Sequence, residues 1–94
     1  MLLNIDNFNS SQNFEIYPNP IDSHNILTIS GLEINNFYII KIISMDGKIV
    51  KEININNTNG VVNIEINTLK SGFYMMNLLC VNNNSYTVKK IIVK

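Results

Sequence analysis

"FYIIKIISMDGKIVKEININ", residues 37–56, is the stretch that decides the fold. Its first part, Phe37 to Ser44, is apolar on both faces of a two-residue period except at Lys41. A strand with neighbours on both sides and little contact with water reads this way, so a central strand is expected. Asp46-Gly47 follows, the strongest short hairpin signal, and it favours a type I′ turn with positive φ at both residues. Lys48 to Asn56 then runs back, with Ile53 and Ile55 separated by Asn54. Two extended runs joined by a tight turn make an antiparallel pair.

The same alternation continues outward in both directions. Upstream, Ile26 to Ser30 puts Leu27 and Ile29 on one face, and Phe14 to Tyr17 forms a further short run. That run stops at Pro18-Asn19-Pro20. Proline removes a backbone donor, and the residue before it is pushed out of the helical region. Tyr17 and Asn19 therefore sit in an extended or turning segment, and the strand they close belongs at a sheet edge. Downstream, "VVNIEIN" turns Val62, Ile64 and Ile66 inward, with Asn63 and Glu65 outward. "LKSG" (Leu69 to Gly72) is a turn, with Gly72 at a strand start where a side chain is expected not to fit. "FYMMNLLCV", "NNNS" and "YTVKKIIVK" then read as strand, turn and final strand. Strand signals recur at the spacing of roughly 8–12 residues typical of sandwiches, and no segment has a capped helical period. The expectation is all-β: a small seven-stranded antiparallel β-sandwich, Ig-like, over residues 14–94. Residues 1–13, rich in Asn, Ser, Gln and Asp without lasting alternation, read as a linker or disordered tail.

Composition sets limits on function. The chain has 94 residues, enough for one modest core. Seven lysines, no arginine and seven acids give a formal net charge of zero. Nucleic acid is a poor partner for such a surface, because phosphate contacts need a basic face and arginine is the usual bidentate reader. No apolar run is long enough for a membrane span or a signal-peptide core, so no bilayer insertion is expected. The chain is then either cytoplasmic or one piece of a longer secreted polypeptide.

Candidate chemistry is sparse, and a non-enzymatic domain is expected. Nucleophilic catalysis needs a nucleophile, a base and an orienting partner. His24, the single histidine, lies in a turn and forms neither a triad nor a metal site. Cys80, the single cysteine, alternates with Tyr74, Met76 and Leu78 and reads as a buried small hydrophobe. Asp22-Ser23-His24-Asn25 offers too few oxygen ligands for calcium. No catalytic, cofactor or metal residue is assigned. Glycosylation-like triplets at Asn9, Asn56 and Asn83 are accidental matches in an asparagine-rich chain. Lys89, Lys90 and Lys94 stand in the last strand, where lysines normally discourage edge pairing. An open edge there would also suit a receptor that adds its own strand.

Four motifs in order complete the pattern: "YPNP" (Tyr17 to Pro20), "DGKIV" (Asp46 to Val50), "LKSGFY" (Leu69 to Tyr74) and "VKKIIVK" at the end. Together they resemble the C-terminal sorting domain, type A, of the type IX secretion system of Bacteroidetes, across Phe14 to Lys94. By position, Pro18, Asn19 and Pro20 match the opening box, and Gly47 matches the hairpin glycine. Leu69, Gly72 and Tyr74 match the late box, and Lys89, Lys90 and Lys94 match the basic terminal strand. Ser44 departs from the aspartate often found before the hairpin, and Cys80 is not a family feature. The resemblance implies a secretion signal on an N-terminally fused cargo. Its implied partners are the outer-membrane export machinery, with shuttle and sortase components. It also implies passage through the periplasm to the cell surface or medium, with removal of the domain by a sortase-like protease. The alternatives are a carbohydrate-binding or adhesive module, which would want exposed aromatic platforms, and a small enzyme, for which no constellation exists.

Overall fold

The computed structural model describes residues 14–22, 25–56 and 59–94. The expected tether, residues 1–13, and His24 lie outside the described residues. Seven strands run β1 Glu15–Tyr17, β2 Ile26–Ser30, β3 Tyr38–Ser44, β4 Ile49–Ile55, β5 Val61–Glu65, β6 Gly72–Cys80 and β7 Ser85–Val93. No helix occurs among the described residues. All strand pairings are antiparallel, in a three-stranded sheet ordered β1-β2-β5 and a four-stranded sheet ordered β4-β3-β6-β7. β3 is flanked by β4 and β6, the central place that its two-sided apolar pattern predicts.

The core lies between the sheets, where strand periodicity puts alternate side chains on one face. Leu27, Ile29 and Ile64 of the smaller sheet meet Ile40, Ile42, Met76 and Leu78 of the larger one, and all are buried. Burying one side chain of this size contributes about 1.5–3 kcal/mol. Cys80 is buried in the same layer, in the role its alternation predicts. Tyr38 is fully buried and stands edge-on to Phe14, with ring centroids 6.2 Å apart at 85°. Its hydroxyl accepts the Glu33 N–H at 2.8 Å, which satisfies the one polar atom that this ring brings inside. Burial is the main influence pushing its pKa upward.

The hairpin turn differs from expectation. Of Asp46 and Gly47, only Gly47 has positive φ, at 90°, so the turn is not type I′. Gly47 N–H donates to the Ser44 carbonyl and Ser44 N–H to that of Lys48, both at 2.9 Å. The loop therefore has three residues, a type I turn closed by a glycine of positive φ. Local chemistry favours it. The Ser44 hydroxyl donates to the Asp46 carboxylate, and that bond is the main cause holding the Asp46 pKa below its ordinary value. A register shift follows, with Ile42 opposite Lys51 but Ile43 opposite Ile49, which leaves Val50 as the extra residue of a bulge.

Gly72 also needs a different account. A side chain would fit, since a Cβ there meets nothing within 4 Å, but φ is +152°, a conformation that L residues rarely adopt. At Gly47, too, a Cβ would meet nothing within 4 Å, so any penalty there is conformational. Gly47→Val should lower stability by about 1–3 kcal/mol through strain at positive φ. Urea unfolding of the two proteins measures this. An unchanged midpoint would mean that the loop readily accommodates a different conformation.

Candidate functional site

β1 ends at Tyr17 because Pro18 cannot donate to the ladder, and the strand lies at the edge of its sheet as expected. The Tyr17–Pro18 and Asn19–Pro20 peptide bonds are both cis. From there the chain crosses to the other sheet. The Asn19 amide nitrogen donates to the Lys90 carbonyl at 2.9 Å, and its amide oxygen accepts the Ile92 N–H at 3.0 Å. A peptide group offers the same donor and acceptor pair, so this side chain acts as one residue of a neighbouring strand. Ile21 continues the pairing through its backbone. Its N–H donates to the Ile92 carbonyl at 2.9 Å, and its carbonyl accepts the Lys94 N–H at 2.8 Å, in a parallel bridge opposite Val93. Its side chain is buried in the core.

The opening box and the terminal strand, about seventy positions apart, are thus one structural unit. Sequence reasoning missed Ile21. The available signal was an isolated apolar residue directly after a box that cannot itself form a strand.

This contact corrects the picture of an edge open along the whole of the last strand. β7 pairs with β6 on one side, and its residues of even number turn their backbone groups to the other. From Lys90 onward that side is occupied by Asn19 and Ile21. Among the described residues, no strand lies beside Ser85 to Lys89 on the side away from β6. The lysines do not form one cluster either. Alternation puts Lys89 and Lys90 on opposite faces of the sheet. The Lys90 ammonium sits 4.8 Å from the centre of the Phe73 ring. Lys94 lies 3.9 Å from Asp22, with both side chains more than half exposed, a pair that contributes little.

The remaining motif residues gather at one end of the sandwich. Leu69 is buried, and its N–H closes a turn onto the Ile66 carbonyl at 2.9 Å. Tyr74 is buried too, and its hydroxyl donates to the Lys70 carbonyl at 2.6 Å, pinning the loop that leads into β6. Immunoglobulin-type sandwiches use a tyrosine in this way at the corner between sheets. Tyr74 faces Ser44 across the β3–β6 ladder, so the hairpin of Gly47 lies beside the loop of Leu69 and Gly72. Together they line an open groove of about 590 Å³ that includes Asp46 and Lys70. Among the described residues, no three His, Cys, Asp or Glu side chains are placed to hold a metal ion. The groove is lined by the Asp46 carboxylate, the Ser44 hydroxyl bonded to it, the Tyr74 phenol and the ammonium groups of Lys48 and Lys70.

The model of one protein family, the secretion system C-terminal sorting domain, matches residues 15–94. Among solved structures, a DUF3244-family protein of Bacteroides vulgatus with an immunoglobulin-like β-sandwich fold is similar at 14% identity and a TM-score of 0.73, over 90% of this chain and 87% of that one. PorZ, a surface component of the type IX secretion system of Porphyromonas gingivalis, is similar at 19% identity and a TM-score of 0.69. That match covers 87% of this chain but only 11% of PorZ. At such identities the two likenesses show the fold alone. No curated protein matches the chain.

If Asn19 stands in for a strand, Asn19→Ala should cost about 1–2 kcal/mol, the usual net worth of two hydrogen bonds partly open to water. Amide exchange should quicken at Ile92, whose partner is lost, and stay unchanged at Ile91, which faces β6. Equal protection of Ile92 in both proteins would show that the amide is not what closes this edge.

Proposed function

The chain belongs to the family of secretion-system C-terminal sorting domains, and from that premise we propose that it is a non-enzymatic address for type IX secretion. In this reading a cargo joined to its amino side crosses the outer membrane because the folded domain is recognised by the export machinery. A sortase-like protease then cuts just upstream of the domain, leaving the cargo at the cell surface or in the medium. The observation that carries the reading is the family match across all seven strands, including the boxes at both ends of the domain. The likeness to part of PorZ is a further support, since that protein is a surface component of the same system.

In this reading the motif residues divide by role. Pro18, Asn19 and Pro20 close the terminal strand, while Leu69, Gly72 and Tyr74 shape the loop before β6, and Gly47 shapes the hairpin. These serve the fold that is recognised. Lys89, Lys90 and Lys94 serve recognition itself, as ammonium groups presented to carboxylates of the machinery.

The test is a fluorescent protein directed to the periplasm with this chain fused behind it, in a bacterium that has the type IX system. The unsubstituted fusion should reach the surface. Changing the three lysines to glutamate should hold the fusion in the periplasm while circular dichroism still reports a folded sandwich. Surface delivery of that folded variant would overturn the role of the charges. Removing Ile91 to Lys94 is a different experiment, because it strips Ile91 and Val93 from the core as well as the last lysine. Failure of the unsubstituted fusion to leave the periplasm would overturn the sorting reading itself.

A further inference from the structure

The two outward faces of the sandwich are unlike each other. An antiparallel sheet ordinarily turns one face to the core and a polar face to water. The three-stranded sheet does so in part. Its outer face carries Glu15, Thr28, Ser30, Asn63 and Glu65 beside three exposed apolar residues, Tyr17, Ile26 and Val61, and Thr28 donates to Asn63 across the strands at 3.0 Å. The four-stranded sheet does not. One cross-strand row on its outer face is Ile39, Leu79 and Tyr86, and the next but one includes Ile43 and Met75. Phe73, Tyr86 and Val88 are 50%, 42% and 43% exposed. The row between those two holds Glu52, Lys41, Asn77 and Val88, so apolar bands flank a polar strip. Exposed apolar residues grouped in this way mark an interaction site more often than scattered ones do.

Charge separates the faces as well. Lys41 and Lys90 project from the apolar face, with Glu52 opposite Lys41 on β4, whereas the strands of the other sheet carry Glu15 and Glu65 and no lysine. Among the described residues, the single ion pair is that of Lys94 with Asp22, so neither Lys41, although opposite Glu52, nor Lys90 forms a salt bridge within the domain. A shallow groove of about 130 Å³ lies between Ile39, Leu79 and Tyr86 on one side and Lys41 and Asn77 on the other. It offers an apolar bed for one side chain with an ammonium at its rim.

We propose that this outer face of the four-stranded sheet is the docking surface of the domain, and that its occupant is a protein of the export machinery presenting an apolar side chain flanked by carboxylates. The inference rests on the sorting reading and deepens it. The closed part of the β7 edge limits strand addition, whereas this face is broad and adjoins Lys90, whose ammonium already lies against Phe73. A second copy is the poorer occupant, because each face carries two lysines, Lys41 and Lys90, against the one carboxylate of Glu52, so two such faces would meet with like net charge.

The test uses the periplasm-directed fusion with the full chain. Ile39→Thr, Leu79→Thr and Val88→Thr together keep strand propensity while making the face polar. Lys41→Glu alone reverses charge at the groove. Thr28→Val with Asn63→Thr alters the opposite face as a control. Surface delivery should fall at least about tenfold for the triple variant and for Lys41→Glu, and stay within about twofold of the parent for the control. Cooperative thermal unfolding establishes that each variant is folded. If the triple variant does not fold, Lys41→Glu decides the outcome. Normal delivery of a folded face variant would overturn the proposal while leaving the sorting reading intact. A parent chain that is dimeric in solution, and monomeric once the face is polar, would assign the surface to a second copy and overturn the stated occupant. Retention of the parent fusion itself would instead overturn the sorting reading, and this inference with it.

Discussion

A sandwich of two sheets has to be closed along its sides, and in this domain the terminal strand is held by the amide of Asn19 and the backbone of Ile21. The arrangement depends on a proline box that can form no strand of its own. Pro18 and Pro20 have no N–H to offer, so a continuous ladder along β7 is unavailable at these positions. Asn19 supplies the missing donor and acceptor from its side chain, and Ile21 resumes backbone pairing two residues later. The first and last elements of the domain therefore depend on each other. The edge of the larger sheet is closed only when the final residues are present and paired.

The other motif residues act at the opposite kind of problem, which is how a short chain turns without leaving polar groups buried. Tyr74 fills the core with its ring and spends its hydroxyl on the loop before its own strand. Asparagine does similar service across the protein. Asn82 accepts the Phe37 N–H at 2.7 Å, and Asn83 accepts both the backbone N–H and the hydroxyl of Ser85. Asn35 and Asn84 take positive φ, a conformation their short polar side chains tolerate better than most. Several asparagines among the described residues thus do turn chemistry. Isoleucine, stiff at χ1 and well suited to a pleated surface, fills the strands between.

Family membership and sheet chemistry lead in the same direction. A sorting domain must be recognised whatever cargo precedes it, so its information has to lie on its own surface. The outer face of the smaller sheet is mixed, with Tyr17, Ile26 and Val61 exposed among polar residues. The larger sheet carries apolar residues on both faces, and burial in the core accounts for only one of them.

The strands, their inward residues and the antiparallel pairing were legible in the sequence, because a two-residue period fixes which side chains share a face whatever the sheet partners are. The motif order was legible too, and the family match agrees with it. Turn type at Asp46-Gly47 was not, since Gly47 suits either loop and the choice fell to the hydroxyl of Ser44 and the carboxylate of Asp46. The reason for Gly72 was not legible either, because a need for positive φ and a lack of space leave the same residue in the sequence. Above all, only the tertiary structure brought Asn19 to Lys90 and Ile92. No local pattern encodes that contact, because it depends on where two distant strands end once the sheets have packed. The same packing decided which apolar face of Phe37 to Ser44 became core and which was left outward. A central strand written as apolar on both sides does not say whether a second layer will cover it.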